Sequence, residues 1–369
     1  MISDKYIELT SGLILDKDTI LLSSADGNLE YGAKHAEINI WSADKTKPIF
    51  NSTVIKAFVA QIIRYTSKKE YFEGVCILSS AAADSIVFFF QEGKIHKEII
   101  KKLLDEPKAA CIHAMSVIDN NIYCCGDNGI VFRRENKNNW IPVDVGIKST
   151  LSAYDVDRKM MDFINHKTKA GQTEPHPIID WMTKEVYKYT DGRNLYAING
   201  NNQNDIYTCG SVDTPKGKTG ILYHYNGVIW TKVNIPETST LSSIFIDDDG
   251  SILIGGYEGH LLESQDGVSF REVISPNDLM VINEFSKYKD TIYLATSDGL
   301  FQYRDKKITR PDIESHISSM DHDILYKELN IDVYGDYILL VGLYSAYRYC
   351  FKTKKCELLI KFTGRPDKE

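Results

Sequence analysis

The sequence predicts an all-β protein: a single seven-bladed β-propeller of four-stranded antiparallel blades that occupies residues 1–369. A short apolar strand recurs at intervals typical of propeller blades. Small residues follow each copy at fixed offsets, as expected where a tight turn reverses the chain. The content of 22 Tyr and 14 Phe also suits strands. A β-sandwich does not need registered repeats and solenoid units are usually shorter, so the propeller is the favoured interpretation.

The repeat is anchored on the first core residue of each apolar strand. The seven anchors are Ile20, Val75, Ile122, Ile206, Ile252, Ile292 and Ile338, at intervals of 55, 47, 84, 46, 40 and 46 residues. Four positions later stand Ser24, Ser79, Gly126, Gly210, Gly256, Thr296 and Gly342, all of them small. Seven positions after the anchor, six copies carry Gly27, Ala82, Gly129, Gly259, Gly299 and Ser345. We therefore expect each anchor strand to end in a tight turn.

The other strands of a blade are placed around the anchor strand. An alternating strand follows the turn, as in residues 130–132, and becomes the third strand. The three phenylalanines at 88–90 fall in such a third strand, where we expect them to pack the core. The aromatic residues that open a fourth strand are Trp140, Trp230 and Phe270. Another strand precedes each anchor, for example residues 241–246, which completes four strands per blade.

The 84-residue interval indicates a partly helical insertion between blades 3 and 4, at residues 150–193. Short helices are predicted at 158–164 and 178–182, around a polar loop. Insertions in repeat proteins tend to project from one face. Trp181, with Met160, Met161, Phe163 and Met182, offers an apolar cluster that either anchors a partner or packs the insertion onto the propeller.

Two further segments are ambiguous. Ile95, Ile99 and Leu103 have helical spacing, so residues 94–104 are predicted to form a short helix that replaces or follows an outer strand. Ring closure is open, because residues 5–9 could pair beside the last blade although 357–362 already supply a fourth strand there.

Composition favours a cytoplasmic protein without a membrane anchor. The start of the chain carries an acid, Asp4, where a secretory peptide would have basic residues, and no apolar stretch approaches the roughly 18 residues of a membrane span. The net charge of −8 comes without a visible basic stripe, so we expect no nucleic-acid partner. Seven cysteines, an odd number, suggest buried thiols in a reducing compartment. A hairpin around residues 351–355 would place Cys350 opposite Cys356, which leaves one disulfide as an alternative.

Two segments carry a family resemblance. Residues 122–132 running on to Trp140, and residues 252–262 running on to Phe270, resemble the YVTN/BNR-like and WD40-like propeller superfamilies. The segment 264–270 is similar to the Asp-box of sialidase-type propellers, one residue short of the usual spacing. In that family the Asp-box is a structural turn remote from catalysis. The Tyr- and Gly-rich blades also resemble propeller immunity proteins encoded beside bacterial polymorphic toxins.

Partner-binding residues are expected in the turns that follow the anchors. Equivalent turns in four blades should ring one flat face of the disc, and their polar and aromatic side chains supply contact area and charge. The candidates are Asp127, Asn128, Tyr257, Glu258, Ser297, Asp298 and Tyr344, together with Trp181 of the insertion. The competing interpretation is that Asp, Asn and Ser stand there because turns favour them.

No catalytic or metal-binding motif was found. The nine histidines include no HExxH motif and no close pair with ligand spacing, and GxSxG, phosphate-loop and dinucleotide fingerprints are absent. We therefore expect no cofactor and no metal, although propeller active sites draw single residues from several blades.

The leading hypothesis is a non-enzymatic propeller, monomeric when free, that sequesters a protein partner. The resemblance to immunity proteins makes a basic toxin domain, inhibited by occlusion of its active site, the specific form of this hypothesis. One alternative is a glycan-active hydrolase or lyase working in the central funnel, for which two carboxylates or an arginine cluster should meet in one pocket. The other alternative is a general assembly scaffold.

Overall fold

Each sheet of the molecule is made of four consecutive strands that pair antiparallel. The computed structural model describes residues 7–26, 36–42, 53–55, 59–67, 72–81, 84–91, 94–100, 111–147, 193–214, 217–273, 280–313, 316 and 329–362. Within these residues the strands group into seven four-stranded sheets, each formed from neighbours in sequence. The chain is therefore an all-β propeller of four-stranded antiparallel blades, with almost no helix in its described part.

The strands are numbered here in chain order, four to a sheet. Sheet 1 holds β1 (Ile7–Asp16), β2 (Thr19–Asp26), β3 (Ala36–Ser42) and β4 (Thr53–Ile55). Sheet 2 holds β5 (Val59–Ser67), β6 (Phe72–Ala81), β7 (Asp84–Gln91) and β8 (Lys94–Ile99). Sheet 3 holds β9 (Ile112–Ile118), β10 (Asn121–Gly126), β11 (Val131–Asn136) and β12 (Asn139–Pro142). Sheet 4 holds β13 (Asn194–Asn202), β14 (Asp205–Thr214), β15 (Gly217–Tyr225) and β16 (Trp230–Lys232).

The last three sheets follow the same plan. Sheet 5 holds β17 (Leu241–Ile246), β18 (Ile252–Gly256), β19 (Leu261–Ser264) and β20 (Arg271–Val273). Sheet 6 holds β21 (Ile282–Tyr288), β22 (Thr291–Thr296), β23 (Gly299–Arg304) and β24 (Lys307–Thr309). Sheet 7 holds β25 (Asn330–Tyr334), β26 (Tyr337–Val341), β27 (Ser345–Cys350) and β28 (Lys355–Lys361).

The predicted repeat is confirmed at the level of strands. All seven anchors lie in the second strand of their sheets, and the phenylalanines at 88–90 lie in the third strand of sheet 2. Anchors such as Ile20, Ile206 and Ile338 are completely buried, at the packing between neighbouring sheets. Burial of such a side chain contributes about 1.5–3 kcal/mol to folding. The repeat is thus a repeat of core positions.

The first strand of every sheet lies at the inner edge. Each of β1, β5, β9, β13, β17, β21 and β25 contacts the first strand of the next sheet, and β25 also contacts β1. Residues 7–9 therefore belong to the inner strand of sheet 1, and the backbone N–H of Leu9 donates to the carbonyl of Leu343 at 2.7 Å. This contact joins the beginning of the described chain to sheet 7.

An arginine bridges three sheets beside this junction. The guanidinium of Arg64, in β5, donates to the carbonyl oxygen of Ile14 in β1 and to both carboxylate oxygens of Asp332 in β25. Asp332 also accepts the backbone N–H of Ile14 at 2.8 Å. Two parallel bonds between a guanidinium and a carboxylate fix distance and angle together. These bonds fix the inner strands of sheets 2, 1 and 7 relative to one another.

The prediction of a helix at residues 94–104 is wrong over 94–99. These residues form β8, the fourth strand of sheet 2, where Ile95 pairs with Phe90. Glu98 of β8 is completely buried and forms a bidentate ion pair with Arg134 at 2.7 and 2.9 Å. Trp140 donates to the same carboxylate. A short apolar run fits helix and strand periodicity equally well, and this pairing across sheets 2 and 3 selects the strand.

The Asp-box-like segment forms a tight turn between β19 and β20. The carboxylate of Asp266 accepts the backbone N–H groups of Val268 and Ser269, which lower its pKa to about 2. The hydroxyl of Ser264 bonds to the same carboxylate and accepts the N–H of Gly267. The Ser264 hydroxyl and the Asp266 carboxylate are thus engaged within the turn, in agreement with a structural role.

The structure decides the disulfide alternative and leaves the insertion a prediction. Cys350 pairs in register with Lys355, whereas Cys356 pairs with Tyr349, so the two cysteines point to opposite faces of the sheet and both are free thiols. The insertion, including Trp181 and the predicted helices, lies outside the described residues except for Arg193.

Candidate functional site

The turns between second and third strands share one end of the propeller with the segments that lead into the inner strands. Hydrogen bonds show this directly: Tyr257 N–H donates to Thr240 O, and Ser297 N–H donates to Val281 O. We call this end the entry face, defined by the turns 127–129, 257–259, 297–298 and 342–344. These turns contain the seven candidate residues of the described chain, and their role in binding a partner stays a prediction.

Asp127 is used inside its own sheet. Its carboxylate accepts the backbone N–H of Cys111 at 2.9 Å and lies 2.6 Å from Nε2 of His113. Burial alone would raise the pKa of Asp127, but the hydrogen bonds from His113 and Cys111 outweigh burial and hold it below the usual value. Asn128 has a φ of 58°, the left-handed conformation that asparagine tolerates well. The structural interpretation of this turn therefore accounts for both residues.

Tyr257 and Glu258 are presented differently in the equivalent turn. The Tyr257 side chain is 48% exposed, and the Glu258 side chain is 68% exposed. Their backbone is nevertheless fixed, because Gly259 N–H donates to Met280 O at 2.6 Å and Ser239 Oγ donates to Tyr257 O at 3.2 Å. A large aromatic side chain is thus held outward by a rigid turn.

The other two turns contribute less surface. Ser297 Oγ accepts the backbone N–H of Val281, just before β21, and Arg310 donates to the carbonyl oxygen of Asp298. Both turn residues thus bond to neighbouring segments of sheet 6. Tyr344 occupies the corresponding turn of sheet 7, but it is only 7% exposed. A partner on this face would meet little of the Tyr344 side chain.

Six of the seven inner strands carry a β-bulge at the same level near the entry face. The extra residues are Thr10, Ala60, His113, Tyr196, Ser242 and Asn283, whereas β25 pairs without interruption. A bulge leaves one residue unpaired and redirects its neighbours. Here the bulges bring a ring of side chains to the wall of the central channel.

A cavity of about 300 Å³ lies on the propeller axis at this level. Its wall comes from six inner strands, β5, β9, β13, β17, β21 and β25. The first residues after the bulges in this wall are Gln61, Ala114, Ala197, Ser243 and Glu284, and Asn330 holds the corresponding place in β25. The two alanines leave space, and the other residues make the wall polar.

Glu284 is the acidic member of this ring. Its Oε2 accepts the backbone N–H of Ile331 in the next sheet at 3.0 Å. Desolvation by the surrounding protein raises the pKa of Glu284 to about 7, and the nearby negative charge of Asp332 acts in the same direction. The sequence analysis did not identify Glu284, although the repeat singles it out. The residues eight or nine positions before six of the anchors are Ser11, Ala114, Ala197, Ser243, Glu284 and Asn330, and Glu284 is the acidic one among them.

A second cavity, of about 550 Å³, lies between sheets 6 and 7 near the opposite end. Its wall is aromatic, with Tyr288 and Phe351 stacked at a centroid distance of 3.8 Å and Tyr349 edge-on to Phe351. These rings pack against the core cluster that joins the two sheets. The cavity is consequently an extension of the interface between sheets.

Comparison with known proteins establishes the architecture. No protein-family model and no curated relative matches the sequence. Virginiamycin B lyase from Staphylococcus aureus superimposes with a TM-score of 0.53 at 10% identity, covering 92% of this chain and 93% of that one. The WD40 β-propeller domain of Doa1 gives 0.53 at 10% identity, covering 92% and 90%. YCF48 bound to D1 peptide gives 0.51 at 11% identity, covering 97% and 94%.

The structural neighbours are WD40- and YVTN-like β-propellers. They include a lyase and a protein bound to a peptide, so the shared fold does not decide between catalysis and binding. No helix in the described part of the chain is long and apolar enough to cross a membrane.

Proposed function

We propose that this chain is a protein-binding propeller whose partner docks on the entry face around Tyr257 and Glu258. The observation that carries the proposal is the contrast between two equivalent turns. The Asp127 carboxylate makes hydrogen bonds within its own sheet, whereas the side chains of Tyr257 and Glu258 are exposed on an equally fixed backbone. Interface hot spots are enriched in tyrosine, and a preorganised site loses less entropy on binding.

The proposed partner surface is basic. Glu258 and Glu272 both flank His260, with Glu272 Oε1 2.6 Å from its Nδ1 and Glu258 Oε2 4.0 Å from its Nε2. The whole chain has a net charge of −8, which steers a cationic partner toward it. A basic toxin domain, as suggested by the resemblance to immunity proteins, remains the specific form of this prediction.

The proposed platform is one closed ring of seven blades. Support comes from the contact between β25 and β1 and from the bridge that Arg64 makes to Ile14 and Asp332. A rigid ring keeps the entry-face turns at fixed distances from one another. YCF48 bound to D1 peptide is a propeller of similar size that binds a polypeptide, and its similarity to this chain is the comparison that fits the proposal.

The test is affinity capture from the native cells with the wild-type protein and two variants. Tyr257→Ala removes the exposed ring from the entry face. Tyr334→Ala is the matched control, because Tyr334 is 42% exposed as the last residue of β25, at the opposite end of the propeller. We expect a stoichiometric partner whose affinity falls at least tenfold, about 1.4 kcal/mol, with Tyr257→Ala and is unchanged by the control.

Equal binding by the wild type and Tyr257→Ala would reject this placement of the site. Loss of binding in both variants would point to a general effect on the fold. Inhibition of the captured partner would separate sequestration from scaffolding. The enzymatic alternative receives less support: among the described residues lining the central cavity, Glu284 is the single carboxylate and no arginine is present, so the carboxylate pair of a glycosidase is not assembled there.

A further inference from the structure

We propose that the central cavity binds a small molecule carrying an ammonium group, with the Glu284 carboxylate as its counter-ion. This site is separate from the protein-binding surface around Tyr257, which lies on the exposed entry face. The proposal stands on a comparison between two sheets of this molecule, on the charges around Glu284 and on the shape of the cavity.

The comparison shows that the fold does not need an acid at this position. Gln61 and Glu284 are both the first residue after the bulge, and each pairs with the residue three positions after its anchor. Gln61 Oε1 accepts the N–H of Met115 in the next sheet at 2.8 Å, as Glu284 Oε2 accepts that of Ile331 at 3.0 Å. A neutral amide therefore makes the same inter-sheet bond, and the negative charge of Glu284 is left without a structural task.

The carboxylate has no cationic partner in the described part of the chain. Its Oε1 makes no hydrogen bond to the described residues, and none of their Lys, Arg or His side chains lies within 4.0 Å of it. The other titratable residues in the cavity wall are His113, which pairs with Asp127, and Tyr196. Asp332 lies outside the cavity wall, in β25, next to Ile331.

Asp332 already has a cationic partner, because it forms an ion pair with Arg64. Around the cavity, Asp127 is hydrogen-bonded to His113 and Asp332 is paired with Arg64, so Glu284 is the one carboxylate in the described wall without a cationic partner. A ligand that supplies a positive charge completes this arrangement, whereas an anionic ligand would add repulsion to desolvation.

The shape and lining of the cavity fit a small ligand. Its volume of about 300 Å³ is at the lower end of the range for small-molecule sites, about 300–1,000 Å³. The aromatic rings of His113 and Tyr196 are 5.1 Å apart in the same wall. Aromatic faces and acceptor oxygens, such as those of Asn283 and Asn330, are the groups that bind alkylammonium ions.

The test uses 2-phenylethylammonium as the probe and 2-phenylethanol as its neutral isostere. Binding to the full-length protein is measured at pH 8 by calorimetry and ligand-observed NMR. We expect the ammonium ion to bind at least tenfold more tightly than the alcohol, and Glu284→Gln to abolish that preference. Asp305→Asn is the control, because it removes one negative charge from an exposed turn between β23 and β24, outside both proposed sites, and should leave ammonium binding unchanged.

The pH dependence provides a second readout on the wild type alone. Since the ammonium ion requires the ionised carboxylate, its affinity should fall about tenfold per unit below pH 7. Equal affinity for the amine and the alcohol, no binding of either at 10 mM, or unchanged binding in Glu284→Gln would overturn the proposal. If Glu284→Gln failed to fold, the wild-type pH profile would still decide: an affinity independent of pH between 5 and 8 contradicts it. Loss of protein capture by Tyr257→Ala does not bear on this result.

Discussion

Replacement of Glu284 by glutamine should make the protein more stable at neutral and alkaline pH. Loss of a buried hydrogen-bonding side chain normally destabilises a protein. Here glutamine retains the acceptor for Ile331 N–H, as Gln61 shows at the equivalent place in sheet 2. The substitution removes only a carboxylate that the folded state must desolvate.

The magnitude follows from the pKa of Glu284, which is raised from an ordinary 4.5 to about 7. Each unit corresponds to about 1.4 kcal/mol, so ionisation in the folded state is opposed by up to about 3 kcal/mol. Glu284 is partly exposed to the channel, and water there reduces the expected effect to about 1–2 kcal/mol. Between pH 4.5 and 7 the folded state binds more protons than the unfolded state. The contribution of Glu284 to wild-type stability therefore falls as pH rises through this window and is level above it.

The assay is reversible urea unfolding of the wild type and Glu284→Gln at pH 4.5 and pH 8. The variant should exceed the wild type by about 1–2 kcal/mol at pH 8, and the two should nearly coincide at pH 4.5. Gln61→Glu is the converse control, because it installs an acid at the equivalent position and should create a new loss of stability at high pH. A variant that is less stable than wild type at pH 8, or a difference independent of pH, would refute this account of the carboxylate.

Three further substitutions test the structure. Gly210→Ala should destabilise the fold by more than about 2 kcal/mol in urea unfolding, because its Cβ would lie 1.8 Å from the carbonyl oxygen of Asn194; unchanged stability would exclude this contact. Glu98→Gln should cost about 3–5 kcal/mol, since it removes the negative charge from a bidentate pair between two buried side chains; a loss below 1 kcal/mol would contradict the pairing. Arg64→Met should lower stability by about 1–2 kcal/mol and speed hydrogen exchange of Ile14 N–H, whereas unchanged exchange would argue against the bridge between sheets.

The repeat was predictable because it records packing that every sheet must satisfy. The small residue four positions after each anchor was interpreted as a turn signal, but the structure gives a different reason. A Cβ at Gly126 would lie 2.0 Å from Cys111 O, and one at Gly256 would lie 2.5 Å from Thr240 O. The close approach of the inner strand therefore excludes a side chain at these two glycines. The sequence thus carried the right constraint for a reason that only the paired strands reveal.

The roles of the turn residues were not predictable to the same degree. Asp127 and Glu258 both looked like acidic turn residues, yet Asp127 bonds to Cys111 and His113 while Glu258 is exposed. Which outcome applies depends on a histidine one strand away, and the spacing between the two residues does not encode it. The buried pair of Glu98 and Arg134 escaped prediction for the same reason, because the partners belong to different sheets.

The internal repeat supplies its own standard for separating structural from functional residues. Where several sheets solve one packing problem alike, as with the bulges and the small residue after each anchor, the shared solution belongs to the fold. Where one sheet departs from an equivalent neighbour at an energetic penalty, the departure needs another cause. Glu284 departs from Gln61 in this way, since it makes the same bond and adds a desolvated charge. Tyr257 departs from Asp127 by leaving a large ring in solvent. These two positions, in the channel and on the entry face, are therefore where function should be sought first.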